Sequence, residues 1–186
     1  MNPASRPDLY APIHKALRAL MADLVVSVGR MDPADDADAR ATIGRVLEGL
    51  ALCEEHVRLE DTFLHPALEA RRPGATARAA FEHAGHVAEF AELRTAIADF
   101  LDAGAADRRE LAHPLYLRMA RWMANNFLHM EHEEAHHGPA LLAAFGDAEL
   151  GALHARILAA VPADAMPKYL RWLESSGAMR PAAQAA

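Results

Sequence analysis

The sequence is poor in the residues that build sheets, covalent staples and membrane spans. Aromatic residues make up only 6% of the 186-residue chain, and no long Val/Ile/Thr alternation occurs, which argues against strands. A single cysteine, Cys53, excludes an intrachain disulfide and fits a reducing compartment. No apolar run approaches the ~18 residues of a membrane span, and Met1 to Asp8 lacks the charged-then-apolar pattern of a signal peptide. A net charge of -7 without a basic stripe leaves nothing to neutralise phosphates. The expectation is a cytoplasmic, all-helical protein with no nucleic-acid partner and no membrane attachment. The length is enough for one domain with a sizeable core.

The chain is rich in histidine, with 11 residues, and one stretch occurs twice. His56 is followed by Glu60, Asp61 and Pro66-Ala67-Leu68, and His129 by Glu133, Glu134 and Pro139-Ala140-Leu141. Both copies read His-x3-Glu-acid-x4-Pro-Ala-Leu. On a helix, residues four apart share a face, so each copy aims an imidazole and a carboxylate together.

Apolar periodicity predicts a first helix from Pro12 to about Gly29, with His14 on its inner stripe. A second runs from Asp36 to Arg71, its stripe passing through Ile43, Val46, Leu50, Cys53, Val57, Glu60, Leu64 and Leu68. His56 lies at the margin of that stripe, whereas His65 is expected to point away and be exposed. Pro66 is expected to bend the helix. A third helix spans Thr76 to Ala103, with His83 and His86 in line with Phe90, Leu93, Ile97 and Phe100. Gly104 to Asp107 reads as a turn. The fourth helix starts at Pro114, or kinks there after a short first turn, and carries Met119, Trp122, Asn126, Met130 and Glu133 inward with His129 at the edge. Gly138-Pro139 ends or bends it. Two short helices, Asp147–Val161 and Ala163–Glu174, follow. The domain reading is a bundle over 10–145, a helical extension over 146–175 and a disordered tail over 176–186.

Short connections imply an up-down-up-down four-helix bundle, in which the starts of helices one and three meet the ends of helices two and four. At ~1.5 Å rise per residue, His14, His56, Glu60, His83, His86, His129 and Glu133 then fall in one layer near one end. Imidazoles suit iron, copper or zinc, and carboxylates can bridge two cations. Seven donors exceed one tetrahedral zinc and suit a metal pair. His83 reads either as a ligand or as a donor supporting one. His132 points outward and His137 lies nearer the inner face. Asp61 and Glu134, each directly after a proposed ligand, read either as groups that orient it or as solvated charges, and His65, His113 and His154 as ordinary surface or core residues. Cys53 reads as core packing.

Over residues 10–145 the pattern resembles the hemerythrin-like, or HHE cation-binding, family: an early His14, His56 with Glu60, His83 and His86, then His129 with Glu133. The resemblance implies two non-haem iron ions bridged by Glu60 and Glu133, with a coordination position open to dioxygen or nitric oxide. The chain departs from invertebrate hemerythrins in carrying His-x2-His rather than His-x3-His on the third helix, and its final Glu four residues after His129 is similar to bacterial relatives. A histidine-rich shell with two carboxylates favours a binding or sensing protein over an enzyme. A di-iron redox enzyme, or an iron–sulfur-centre repair protein of nitric-oxide stress, is the alternative. The helices after residue 145 are expected to cap the bundle or serve a homodimer or protein partner.

Overall fold

Each connection carries its own start and stop signals. The Asp8 carboxylate accepts from the backbone N–H groups of Tyr10 and Ala11, both at 3.0 Å, and so starts α1 (Ala11–Arg30), with Pro12 in its first turn. Asp35 accepts from Ala37 and Asp38 and caps α2 (Asp36–Leu59). At the far end of the next hairpin, Gly74 takes φ +86°, a conformation that suits glycine, and its N–H donates to Glu69. The computed structural model describes residues 6–179, and among these every regular element is helical and no strand occurs.

The second helix continues without a break through a π-helical turn, Glu60–Leu64, into α3 (His65–Arg71). Next comes α4 (Ala77–Asp102), and then α5 (Ala105–His132) runs through a second π-helical turn, Glu133–His137, into α6 (Gly138–Ala144). Two further helices follow, α7 (Asp147–Ala160) and α8 (Met166–Ser175). The π-turns fall at matching places in the two copies of the repeated stretch, just before Pro66 and Pro139. Proline has no N–H, and its ring collides with the carbonyl four residues back, so the α-ladder cannot pass it undisturbed. The helix widens instead. His65 N–H bonds to Glu60 O, and Gly138 N–H bonds to Glu133 O, each five residues back.

The helix α1 packs on α2 and α5, and α4 packs on the same two. Between them lies a continuous apolar core that includes Leu17, Leu24, Ile43, Leu50, Ile97 and Met119. Burying such a side chain is worth about 1.5–3 kcal/mol. A second, smaller cluster of Tyr10, Leu64, Leu68, Leu141, Leu150 and Leu153 closes one end. Val57 and Met130 belong to the first cluster, Leu64 and Leu141 to the second. The Glu60 and Glu133 layer therefore lies between two apolar plugs.

Two expectations need correction, the turn over 104–107 and the start of the tail at 176. Residues 105–107 are not a turn: α5 starts at Ala105 and passes through Pro114. Pro114 and Glu110, four residues before it, are both exposed, so the carbonyl left without its partner faces water. In the first turn of α5, Arg108 is buried and its Nη2 lies 3.0 Å from Asp36. Gly146 caps α7, with Glu149 accepting from its N–H at 2.9 Å. Finally, Ser176–Met179 is ordered. Gly177 (φ +68°) ends α8, its N–H bonding to Glu174 O and that of Ala178 to Leu173 O, as in a Schellman turn. The rest of the expected tail, 180–186, lies outside the described residues.

The last two helices are fastened to the bundle. Arg71 donates to Ala144 O and Glu149, both at 2.7 Å, and stacks over Phe145. Arg6 donates to Asp147, Leu142 O and Phe145 O. The Tyr169 hydroxyl donates to Leu52 O at 2.6 Å, anchoring α8. None of the described helices is long and apolar enough to cross a membrane.

Candidate metal centre

The layer between the plugs collects side chains from every long helix. His14 comes from the start of α1, His56 and Glu60 from the end of α2 and its π-turn, and His83 and His86 from the early turns of α4. His129 and Glu133 come from the end of α5 and the second π-turn. All seven residues expected from the sequence meet here. His14, Glu60, His83, His86, His129 and Glu133 are buried, and the His56 side chain is 12% exposed.

His65 overturns its expectation. It is buried, and its Nε2 lies 3.1 Å from Glu133 Oε1. On an α-helix, five residues carry a side chain about 140° past a full revolution, which would turn His65 away from Glu60. The π-turn closes with an i to i+5 bond and brings the fifth residue back towards the first. His137, at the end of the second π-turn, is likewise buried, with Nδ1 3.7 Å from Glu133 Oε1 and Nε2 3.2 Å from Ala75 O.

Each central carboxylate offers its two oxygens to different imidazoles. Glu60 Oε1 lies 3.2 Å from His56 Nε2 and 3.4 Å from His14 Nε2, while Oε2 is 3.5 Å from His83 Nε2. Glu133 Oε2 faces His129 Nε2 at 3.3 Å and His14 Nε2 at 3.5 Å, while Oε1 faces His65 and His137. Donor atoms of His14, His56 and Glu60 lie within 4.8 Å of one another, as do those of Glu60, His65, His83 and Glu133. Glu60 is common to both groups. His129 Nε2 approaches His83 Nε2 to 2.9 Å and so is directed at the second.

The outer nitrogens follow a second pattern. His14 Nδ1 meets Glu134 at 3.0 Å, His65 and His83 Nδ1 meet Asp61 at 3.1 and 2.8 Å, His129 Nδ1 meets Glu82 at 2.8 Å, and His86 Nδ1 meets Glu89 at 3.3 Å. An ionised carboxylate only accepts, so each Nδ1 carries the proton and, in the neutral ring, Nε2 keeps its lone pair for the centre. Such outer carboxylates fix tautomer and orientation and raise the basicity of metal-binding imidazoles. Asp61 and Glu134 are thus not merely solvated: they accept from these rings. Glu82 and Glu89 were not singled out from the sequence. Glu89 sits three residues after His86, a spacing that could have flagged it, whereas Glu82 reaches His129 from another helix.

Several buried polar atoms at the centre have no hydrogen-bond partner: His56 Nε2, Glu60 Oε2, His86 Nε2, Glu133 Oε2 and His137 Nδ1. Some lie close to other polar atoms but are not aligned for a hydrogen bond, as with His56 Nε2 and Glu60. Leaving such groups unpaired costs about 1–3 kcal/mol each, more when charged. Convergent lone pairs of this kind fit a cation.

The electrostatics agree. Burial opposes charging of His14, but its hydrogen bonds to Glu134 and Glu60 and the charge of both central carboxylates outweigh it, pushing its pKa up to about 9. Burial and the charge of Glu133 raise Glu60. Glu133 resists its own burial through His129, His137 and His65 and is held well below the usual carboxylate range. Burial and the neighbouring imidazoles keep His56 neutral, and burial, offset in part by Asp61, takes His83 down to about 4. The two carboxylates thus draw positive charge into a buried site. Cys53 stays outside this chemistry: burial pushes its thiol above the ordinary range, which leaves it inert.

Comparison with models of known protein families and with curated proteins finds no match.

Proposed function

We propose that this chain is a hemerythrin-like metal protein, an up-down-up-down four-helix bundle that holds two iron ions and binds dioxygen or nitric oxide at them. The observation that carries this reading is the double orientation of the imidazoles: Nδ1 atoms tied outward to carboxylates, and Nε2 atoms converging inward on Glu60 and Glu133. His14 and His56 would serve one iron, with His65, His83 and His129 serving the other. Glu60 and Glu133 would bridge the two: Glu60 divides its oxygens between the sets, and Glu133, both of whose oxygens face the second set, reaches His14 of the first through Oε2. His86, with its free Nε2, would complete the second set.

When bound, two irons supply reversible electron transfer and an open position for a small diatomic ligand. The protein's part is to hold imidazole geometry through Asp61, Glu82, Glu89 and Glu134, and to exclude bulk water with the two apolar plugs. The paucity of anionic ligands at the irons favours binding and sensing over oxidation chemistry. One observation favours a di-iron redox enzyme instead: an apolar cavity reaches His56 and Glu60, so a molecule larger than a gas has a way to the centre.

The test is metal analysis of protein produced in iron-supplemented medium, with absorption spectra as isolated, reduced under nitrogen, and re-exposed to air. About two irons per chain are expected, with oxo-bridge bands that disappear on reduction and return with oxygen. Retention of iron by His56→Ala and Glu133→Ala at the level of the parent would end the proposal.

A further inference from the structure

The cavity between the bundle and its C-terminal helices has an unusual composition. It encloses about 370 Å³, within the range of about 300–1,000 Å³ seen for small-molecule sites. Its walls are aliphatic, with Ile13 and Leu59 on the bundle side and Ile157, Val161 and Leu173 on the side of α7 and α8. At the inner end lie His56 and Glu60, each with a buried side-chain atom that has no hydrogen-bond partner. Leu158 and Leu170 also line it and remain 47% and 40% exposed, more than packing alone would leave them.

The charge pattern limits the occupant. Among the described residues no lysine or arginine lines the cavity, whereas Asp8 and Glu60 do. A carboxylate or phosphate would therefore enter without a basic partner and against two acids. Two polar side chains of the C-terminal helices line it, His154 and Tyr169, and Tyr169 already uses its hydroxyl on Leu52 O. We infer that this cavity is a binding site for an uncharged, apolar small molecule, held by the C-terminal helices with one end against the His56/Glu60 face of the metal centre. The inference rests on the metal-centre reading for what lies at its inner end. It gives α7 and α8 a function beyond covering the bundle, and it names the substrate class that the enzyme alternative requires.

The test uses the full chain and the neutral fluorescent probe N-phenyl-1-naphthylamine, first without metal. Saturable binding with enhanced fluorescence is expected, displaced by 1-decanol at a concentration about tenfold or more below that needed for decanoate. Leu158→Asp and Leu170→Asp place charge on residues already exposed, so the fold and metal content should survive while probe affinity falls about tenfold or more. In cobalt-loaded protein, decanol should shift the visible cobalt bands. Absence of saturable binding, binding indifferent to both substitutions, or equal displacement by decanoate would overturn the assignment. Probe binding that leaves the cobalt bands unmoved would overturn the link to His56 and Glu60. Failure of the chain to take up metal, with probe binding intact, would sink the metal reading and leave the cavity standing.

Discussion

Glu60 and His65 face the same centre although five residues separate them, because the π-turn between them returns the helix to its inner face ahead of Pro66. His65→Ala should therefore behave as loss of a ligand. Cobalt affinity, measured by titration against a competing chelator, is expected to fall at least about tenfold, roughly 1.4 kcal/mol. Pro66→Ala removes the clash that favours the wide turn and should weaken binding in the same direction by a smaller factor. His136→Ala, at an exposed ring bonded only to His132 O, should change nothing. Parent-like affinity in His65→Ala would remove His65 from the centre.

Asp61 is half exposed, yet its Oδ1 accepts from both His65 and His83. Replacing it with Asn keeps the shape but removes the charge and allows the amide to present a donor to those rings. Outer partners of metal-binding histidines typically matter by about 10–100-fold in affinity, and Asp61→Asn should fall in that range. Glu82→Gln, beside His129, should act likewise. Substitution of Asp107, exposed in the first turn of α5 and at the opposite end of that helix from His129, is the control. If Asp61→Asn and the control titrate alike, the outer carboxylates are only surface charge.

Much of this was legible in the sequence because an α-helix repeats every 3.6 residues. Ile43, Val46, Leu50, Cys53 and Val57 on one stripe, and Phe90, Leu93, Ile97 and Phe100 on another, are all buried, and the seven site residues follow in phase with them. The same regularity misplaced His65, since a fixed turn per residue cannot anticipate a π-turn. The paired Pro66 and Pro139 marked the place but not the widening. Glu82 stayed hidden for another reason: its partner, His129, lies on a different helix, and no spacing along one helix encodes a contact across two. The seat of α8 depends similarly on Tyr169 finding Leu52 O, which is decided by tertiary packing.

The turn between α3 and α4 offers a pH test away from the metal centre. The Glu69 carboxylate accepts from Gly74 N–H and from the N–H and hydroxyl of Thr76, and these bonds hold its pKa below the usual carboxylate value. A depressed pKa contributes stability that is present above the unfolded value, about 4.3, and is lost as pH falls through the folded value. The stability difference between the parent and Glu69→Ala should be constant above pH 5 and shrink towards pH 3. Urea unfolding at a series of pH values measures it, and a difference that grew in acid would contradict the role of the ionised carboxylate.

Metal removal should separate the two halves of the core. The large apolar cluster, from Leu17 to Trp122, owes nothing to the centre, so chelation should leave the helical circular dichroism intact at room temperature. A metal-loaded centre would lose its counter-charge on chelation. Glu60 and Glu133 then face each other across a buried layer, relieved in part by a proton on His14. A metal at about 100 times its dissociation constant stabilises the folded chain by about 2.7 kcal/mol, which in a chain of this length corresponds to roughly 5–10 °C in Tm. The chelated protein should melt lower by at least that much, and readdition of metal should restore it. The small cluster around Leu64 and Leu141 abuts the centre, so amides of α3 and α6 should lose the most hydrogen-exchange protection. Loss of protection spread evenly over all helices, or a Tm indifferent to chelation, would show that the histidine layer does not depend on metal.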